Sequence, residues 1–265
     1  MTAAEPGEVL LNVRALKWKS NDPFGTSLKS VALELRKGEI VGIAGVAGNG
    51  QDELLKALSG EILVDAGSIS LDGRGIENLA PNQRRNLGVA IVPEERLGRG
   101  AVPNMTLADN ALLTASGQGL VNRGLIRFGR VREFSREVIR RFGVRCNDES
   151  STAGSLSGGN LQKYIIGREA LQNPRLLVAS HPTWGVDVGS AVAIHEALVQ
   201  LRDAGAAIVL ISEDLDELYQ LCNRLGALCN GRLSPLASTS ELSIEQLGQW
   251  MAGEFESAEV NHVAA

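Results

Sequence analysis

Aromatic side chains are scarce in this chain. Three Trp, two Tyr and five Phe make up 4 % of 265 residues, so the core must be built mainly from aliphatic side chains. Cysteine is scarce too: Cys146, Cys222 and Cys229 are odd in number and form no CxxC pair. That excludes a disulfide framework and fits small buried residues in a reducing compartment. Basic residues are not in surplus, since 26 Lys and Arg face 31 Asp and Glu for a net charge of −5, which argues against a dedicated nucleic-acid binder. Long apolar runs are absent as well. The longest, Ile40 to Gly48, is too short to span a bilayer, and Met1-Thr2-Ala3-Ala4-Glu5 has neither the basic end nor the apolar stretch of a signal peptide. The expectation is a soluble chain that reaches a membrane only through a partner. What is present is ordinary globular material, 44 % apolar and 22 % charged, long enough for a large core.

Short aliphatic runs alternate with helical patterns, the signature of a mainly parallel sheet covered by helices. The runs Val9 to Val13, Ala32 to Leu35, Ile40 to Ala44, Ser68 to Leu71, Val89 to Val92, Leu176 to Ala179, Ala207 to Ile211 and Gly226 to Cys229 are candidate strands. Those at Ile40, Leu176 and Ala207 are continuously apolar, as strands buried on both faces are. Asp72-Gly73 and Asn230-Gly231 are hairpin turn signals that place antiparallel pieces near the edges. From Asn104 to about Asn173 no convincing strand is visible. Thr106 is placed to cap a helix over Leu107 to Leu113, and Val131, Phe134, Val138, Ile139 and Phe142 recur at helical spacing. This segment reads as a helical subdomain inserted into the α/β core. It holds eight arginines between Arg123 and Arg145 against Glu133 and Glu137, a local surplus of six positive charges. Two readings stand: a solvated helix face, or a docking face for anionic headgroups or an acidic partner. Ser243 and Gln246 have capping-box spacing for a last short helix ending near Met251, and 256–265 reads as a frayed tail.

Ile40 to Asp52 reads as strand, glycine-rich loop and helix start. That is the context of a phosphate-binding P-loop, with backbone N–H groups and a helix N-terminus turned to an anion. Gly45, Gly48, Asn49 and Gly50 have the spacing, but Gln51 and Asp52 stand where lysine and a Ser or Thr belong. The exchange moves the local charge by two units towards negative. At 4 Å and an effective dielectric near 20, one unit charge is worth roughly 4 kcal/mol, enough for the loss to abolish MgATP binding. Two outcomes stay open: a structural glycine turn, or weak nucleotide binding in which the Asp52 carboxylate helps hold Mg²⁺.

Downstream, Leu156-Ser157-Gly158-Gly159-Asn160 opens another helix, a second anion-binding end. Together with the upstream glycine loop, this run resembles the LSGGQ signature of the ATP-binding-cassette (ABC) ATPases, with Asn160 for the last Gln. The resemblance extends from about Val9 to Leu236. It implies an α/β P-loop NTPase core with a mainly parallel sheet, an antiparallel edge subdomain and the inserted helical subdomain, over residues 1–255. It implies ATP and Mg²⁺ as ligands. Glu94, in Ile91-Val92-Pro93-Glu94-Glu95-Arg96, falls at the Q-loop position that contacts Mg²⁺ and the membrane partner, so Asp52 and Glu94 are candidate metal ligands. Leu176 to Ser180 and His181 match Walker B, with Ser180 for the metal-holding Asp and His181 for the catalytic Glu; as a base His181 competes with a plainer role as a hydrogen-bonded D-loop neighbour. Asp187, in Thr183 to Asp187, matches the D-loop, and Glu213 stands for the switch histidine. Trp18 falls near the position of an adenine-stacking aromatic, although a core Trp fits the loose spacing better.

These departures fall on groups that phosphoryl transfer depends on, so the chain is not expected to hydrolyse ATP in its own Walker site. The signature, which in this family closes over ATP held by an opposing cassette, is nearly intact. The wording of the motifs resembles the second, degenerate cassette of importers for nucleosides and simple sugars. The resemblance thus implies a C-terminal half of a longer ATPase, or a separately encoded cassette. Its partners are then a second cassette, transmembrane permease subunits and, indirectly, a substrate-binding protein, at the cytoplasmic face of the membrane and without nucleic acid. The alternative is a non-hydrolysing scaffold or regulatory module.

Overall fold

The computed structural model describes residues 7–23 and 25–255. The expected frayed tail, 256–265, lies outside the described residues. In chain order the elements are β1 (Val9–Trp18), β2 (Leu28–Arg36), β3 (Ile40–Ala44), α1 (Gln51–Ser59), β4 (Ile69–Leu71), β5 (Arg74–Gly75), α2 (Pro81–Asn86) and β6 (Val89–Val92). Then come α3 (Leu107–Ala115), β7 (Val121–Asn122), β8 (Leu125–Ile126), α4 (Phe128–Arg141), α5 (Gly158–Ala170), β9 (Leu176–Ser180) and α6 (Val188–Asp203). The chain continues with β10 (Ala207–Ser212), α7 (Leu215–Leu221), β11 (Arg224–Cys229), β12 (Arg232–Leu233), β13 (Ala237–Ser238) and α8 (Ile244–Met251). They form two compact units, one from the described parts of Met1–Val89, Arg175–Ser180 and Arg202–Ala265, the other from Ala90–Pro174 and His181–Leu201.

In the first unit, β11, β3, β10 and β9 pair in parallel in that order, and β12 and β13 add antiparallel to β11. Every residue of β3, β9 and β10 is buried, as their unbroken apolar sequences require of central parallel strands. Gly42 is needed in β3: a Cβ there would lie 2.5 Å from Leu225 Cδ2 and 2.7 Å from Cys222 Sγ. The second sheet of this unit is antiparallel, in the order β2-β1-β4-β5. The turns Asp72-Gly73 and Asn230-Gly231 have φ of 53° and 74°, and 49° and 74°, the paired positive values that close two-residue hairpins. β1 runs five residues beyond the stretch its alternation predicts. The extension is hidden by a bulge, with Ala15 at φ 44° and a register shift between Val13 and Leu16.

In the second unit the side chain of Thr106 accepts from Asp109 N (3.0 Å) to start α3. α4 turns Val131, Ser135 and Val138 inward, and Val131 joins Ala108, Ala115 and Leu120 in a core cluster. The expected strand-free segment does contain strands. β7 and β8 form a hairpin around Arg123-Gly124, where φ values of 49° and 78° make a turn that the sequence pattern, lacking Asn or Asp before the glycine, does not signal. Of the arginine cluster, Arg136 pairs with Glu149 (2.5 Å), and Arg140 and Arg141 with Glu137 (2.7 and 2.5 Å). These three are the solvated-face kind, worth little individually.

Arg84, fully buried in the first unit, ends α1. Its guanidinium donates to the carbonyls of Ala57 (2.6 Å), Leu58 (2.9 Å), Leu79 (3.0 Å) and Glu77 (3.2 Å). Burial lowers its pKa to about 10, which keeps it charged at neutral pH. A cation on the last carbonyls of a helix is favoured by the helix dipole. Arg84→Met strips these carbonyls of their donor, and a loss of about 3 kcal/mol in urea unfolding is expected. A change below about 0.5 kcal/mol, the size of a surface substitution, would show that Arg84 does not hold the end of α1.

Candidate functional site

β3 ends at Ala44, the loop spans Gly45 to Gly50, and α1 begins at Gln51. Gly48 and Gly50 have φ of 84° and 111°, values that disfavour side chains. A Cβ on Gly45 would lie 2.6 Å from the carbonyl oxygen of Leu228. The loop therefore has the backbone of an anion nest. Two of its amide donors, those of Ala47 and Asn49, are engaged within the unit.

Gln51 is 6 % exposed and folds back on the loop. Its Oε1 accepts from Asn49 N (3.0 Å) and its Nε2 donates to Val46 O (2.9 Å). Ala47 N donates to Glu213 Oε1 at 2.5 Å. Asn49 Oδ1 and O accept from Asn230 N (2.8 Å) and Gly231 N (2.9 Å), tying the loop to the β11–β12 turn. Asp52 pairs with Lys56 one turn on, at 2.5 Å, and Glu53 Oε1 accepts from Thr26 N (3.2 Å). A nucleotide phosphate needs free N–H groups and a cation. Here the N–H groups of Ala47 and Asn49 are spent on the chain's own oxygens, Gln51 is neutral and Lys56 is paired.

Ser180 ends β9 and is buried, and its neighbour His181 takes φ 47°. In the second unit His181 Nδ1 meets Glu94 Oε2 at 3.3 Å, and its ring stands edge-on to Trp184 with centroids 6.5 Å apart. Among the described residues no three His, Cys, Asp or Glu side chains gather as a metal site. Trp18 is half-buried and is not a core residue. It lines a cavity of about 860 Å³ with Lys17, Lys19, Lys29, Asp65 and Arg232.

The signature end is built differently. Ser157 and Gly158 are exposed at the start of α5. Asn160 steadies this end, donating from Nδ2 to Ser157 Oγ (2.9 Å) and accepting at Oδ1 from Arg145 N (2.9 Å). Asp187 accepts from Ser190 N (3.0 Å) and Ser190 Oγ (2.7 Å), so it caps α6. This pair fixes Gly159 as glycine, because a Cβ would lie 2.9 Å from Asp187 Oδ2 and 3.0 Å from Ser190 Oγ. Two participants escaped the sequence reading. Ser190 is one; the other is Arg96, whose Nη1 would be 2.8 Å from a Cβ on Gly158 and whose Nε donates to Gln162 Oε1 (3.2 Å). Arg96 stands two residues after Glu94, so the signal was the cation in the same motif.

With the loop, signature and D-loop in place, residues 28–184 match the family model described as ABC transporter. The chain belongs to the ABC transporter family. Its relatives include the nucleoside import ATP-binding protein NupA of Lactococcus lactis subsp. cremoris (strain MG1363), 40 % identical over 252 residues, or 95 % of this chain and 50 % of that protein. The guanosine import ATP-binding protein NupO of Bacillus subtilis (strain 168) is 38 % identical over 95 % of this chain and 49 % of its own length. The ribose import ATP-binding protein RbsA 1 of Rubrobacter xylanophilus (strain DSM 9941 / JCM 11954 / NBRC 16129 / PRD-1) is 38 % identical over 92 % and 47 %. The chain thus spans about half the length of the curated relatives it matches. Among solved structures, an ATP binding subunit of an ABC transporter superposes with a TM-score of 0.74 at 23 % identity, over 92 % of this chain and 99 % of that one. The cassette MJ0796, described as a dimer in a post-hydrolysis state bound to ADP and Pi, has a TM-score of 0.74 at 20 % identity, over 87 % and 99 %. This is the ABC ATPase fold: a parallel sheet, an antiparallel sheet and helices.

In this ABC cassette the Ser190 hydroxyl and N–H hold the Asp187 carboxyl below the usual aspartate pKa. A depressed carboxyl pKa contributes stability above the unfolded value and loses it as pH falls through the folded one. Ser190→Ala is expected to raise the Asp187 pKa, read by carboxyl-carbon NMR. No movement would mean that the hydroxyl does not bond the carboxylate in solution.

Proposed function

We propose that this chain is the ATP-binding subunit, or half-subunit, of an ABC importer for nucleosides or simple sugars, of the second, degenerate cassette type. In this reading residues 1–255 act as one nucleotide-binding domain with a helical subdomain over about 104–173. The contrast between its two ends carries the proposal. Gln51 closes the P-loop on itself, while Ser157 and Gly158 stand exposed on an ordered helix start. The chain then does not turn over ATP in its own loop but offers Leu156 to Asn160 to MgATP held by a second cassette. Ser180, His181 and Glu213 are not hydrolytic groups in this reading, and Asp52 and Glu94 remain its candidate metal ligands.

An exposed apolar strip supports a partner beside the D-loop: Trp184 is 63 % and Val188 82 % exposed. The nucleoside and sugar wording in the relatives' names supports the solute class. Among the described residues no helix is long and apolar enough to cross a membrane. The work of translocation is therefore assigned to permease subunits, fed by a substrate-binding protein, with the cassette at the cytoplasmic face. A second reading, a non-hydrolysing scaffold, is favoured by the same self-closed loop.

ATP turnover separates the readings. The chain alone is expected to show none above background and to support turnover when mixed with a cassette that keeps the P-loop lysine. Ser157→Arg in this chain is then expected to lower the paired rate at least 100-fold. Turnover by the chain alone that disappears with Gln51→Ala would overturn the proposal, and a paired rate indifferent to Ser157→Arg would favour the scaffold.

A further inference from the structure

We infer that Glu213 is the resident anion of this P-loop: its carboxylate takes the seat that a phosphate oxygen occupies in a loop of this type. The placement follows from strand register. Ile208 to Ser212 of β10 pair in parallel with Ile40 to Ala44 of β3, so the two strands leave the sheet at one level. Glu213 is the next residue on one side and Gly45 the next on the other. The bond from Ala47 N to Glu213 Oε1, at 2.5 Å, joins residues 166 apart in sequence.

The segment carrying Glu213 is anchored on both sides. Ser212 Oγ donates to the buried Glu217 Oε2 (2.7 Å) and accepts from Asp214 N (3.1 Å), and Asp214 Oδ1 accepts from Glu217 N (3.1 Å) to cap α7. Held this way, the backbone at Glu213 is fixed, and presenting its carboxylate to the loop costs only its own side-chain freedom. The other carboxylates nearby are used elsewhere: Asp52 on Lys56 and Glu53 on Thr26 N. Backbone amides and the N-terminus of the nine-residue α1 favour one negative charge at the loop. Without a lysine there, a single internal carboxylate meets that demand. A polyanionic phosphate must expel it and then face its charge.

The inference deepens the reading of a loop that does not turn over ATP and rests on it. It separates two causes of that silence, a missing cation and an occupied seat. Its test is the binding of inorganic pyrophosphate, without magnesium, to the full chain by calorimetry. Pyrophosphate is expected to bind Glu213→Ala at least tenfold more tightly than the natural chain, with Glu213→Gln between them. Hydrogen exchange at the Ala47 amide is expected to speed up at least tenfold in Glu213→Ala, while the Leu54 amide in α1 keeps its protection and reports an intact fold. Affinities equal across the three proteins, or Ala47 exchange unchanged by the substitution, would overturn the inference. ATP turnover is followed in the same samples. Turnover by the natural chain would sink the functional reading, whereas the occupied seat stands or falls on pyrophosphate and Ala47 alone.

Discussion

The parallel pairing of β3 with β10 is the constraint on which the rest of the first unit depends. It buries two continuous aliphatic strands side by side, Ile208 against Ile40 through Ser212 against Ala44, and a strand pair buried on both faces tolerates no slip of register. Everything chemical at the loop hangs from where those strands stop. One end becomes the glycine loop and α1. The other becomes the segment that brings a carboxylate to that loop.

The helix starts at α1 and α5 are built differently in this chain. At α1 the loop bonds internally, through Gln51 and Glu213 at the amides of Asn49 and Ala47 and through Asn230 and Gly231 at the Asn49 oxygens. At α5, Asn160 orients the Ser157 hydroxyl, and Ser157 and Gly158 face solvent.

Much of this was legible in the sequence. The strands at Ile40 to Ala44 and Val89 to Val92 have the bounds their apolar runs predict, and Thr106 and Ser243 cap helices as their spacing indicates. Local signals ran out where the backbone departs from regular pattern, at the bulge of Ala15 and at the Arg123-Gly124 turn. The loss of lysine at Gln51 was visible, but the way Gln51 folds back on Val46 and Asn49 was not. Glu213 could be read only as a missing histidine, because its bond to Ala47 exists by virtue of strand order, which no local pattern encodes. Trp18 likewise reads as core until the cavity beside β1 is seen.

The central claim is that this chain lends a signature but no nucleotide seat, and counting nucleotide tests it most directly. In a complex of this chain with a lysine-bearing cassette, a slowly hydrolysed ATP analogue with Mg²⁺ should saturate at one molecule per pair. Saturation at two per pair would contradict it.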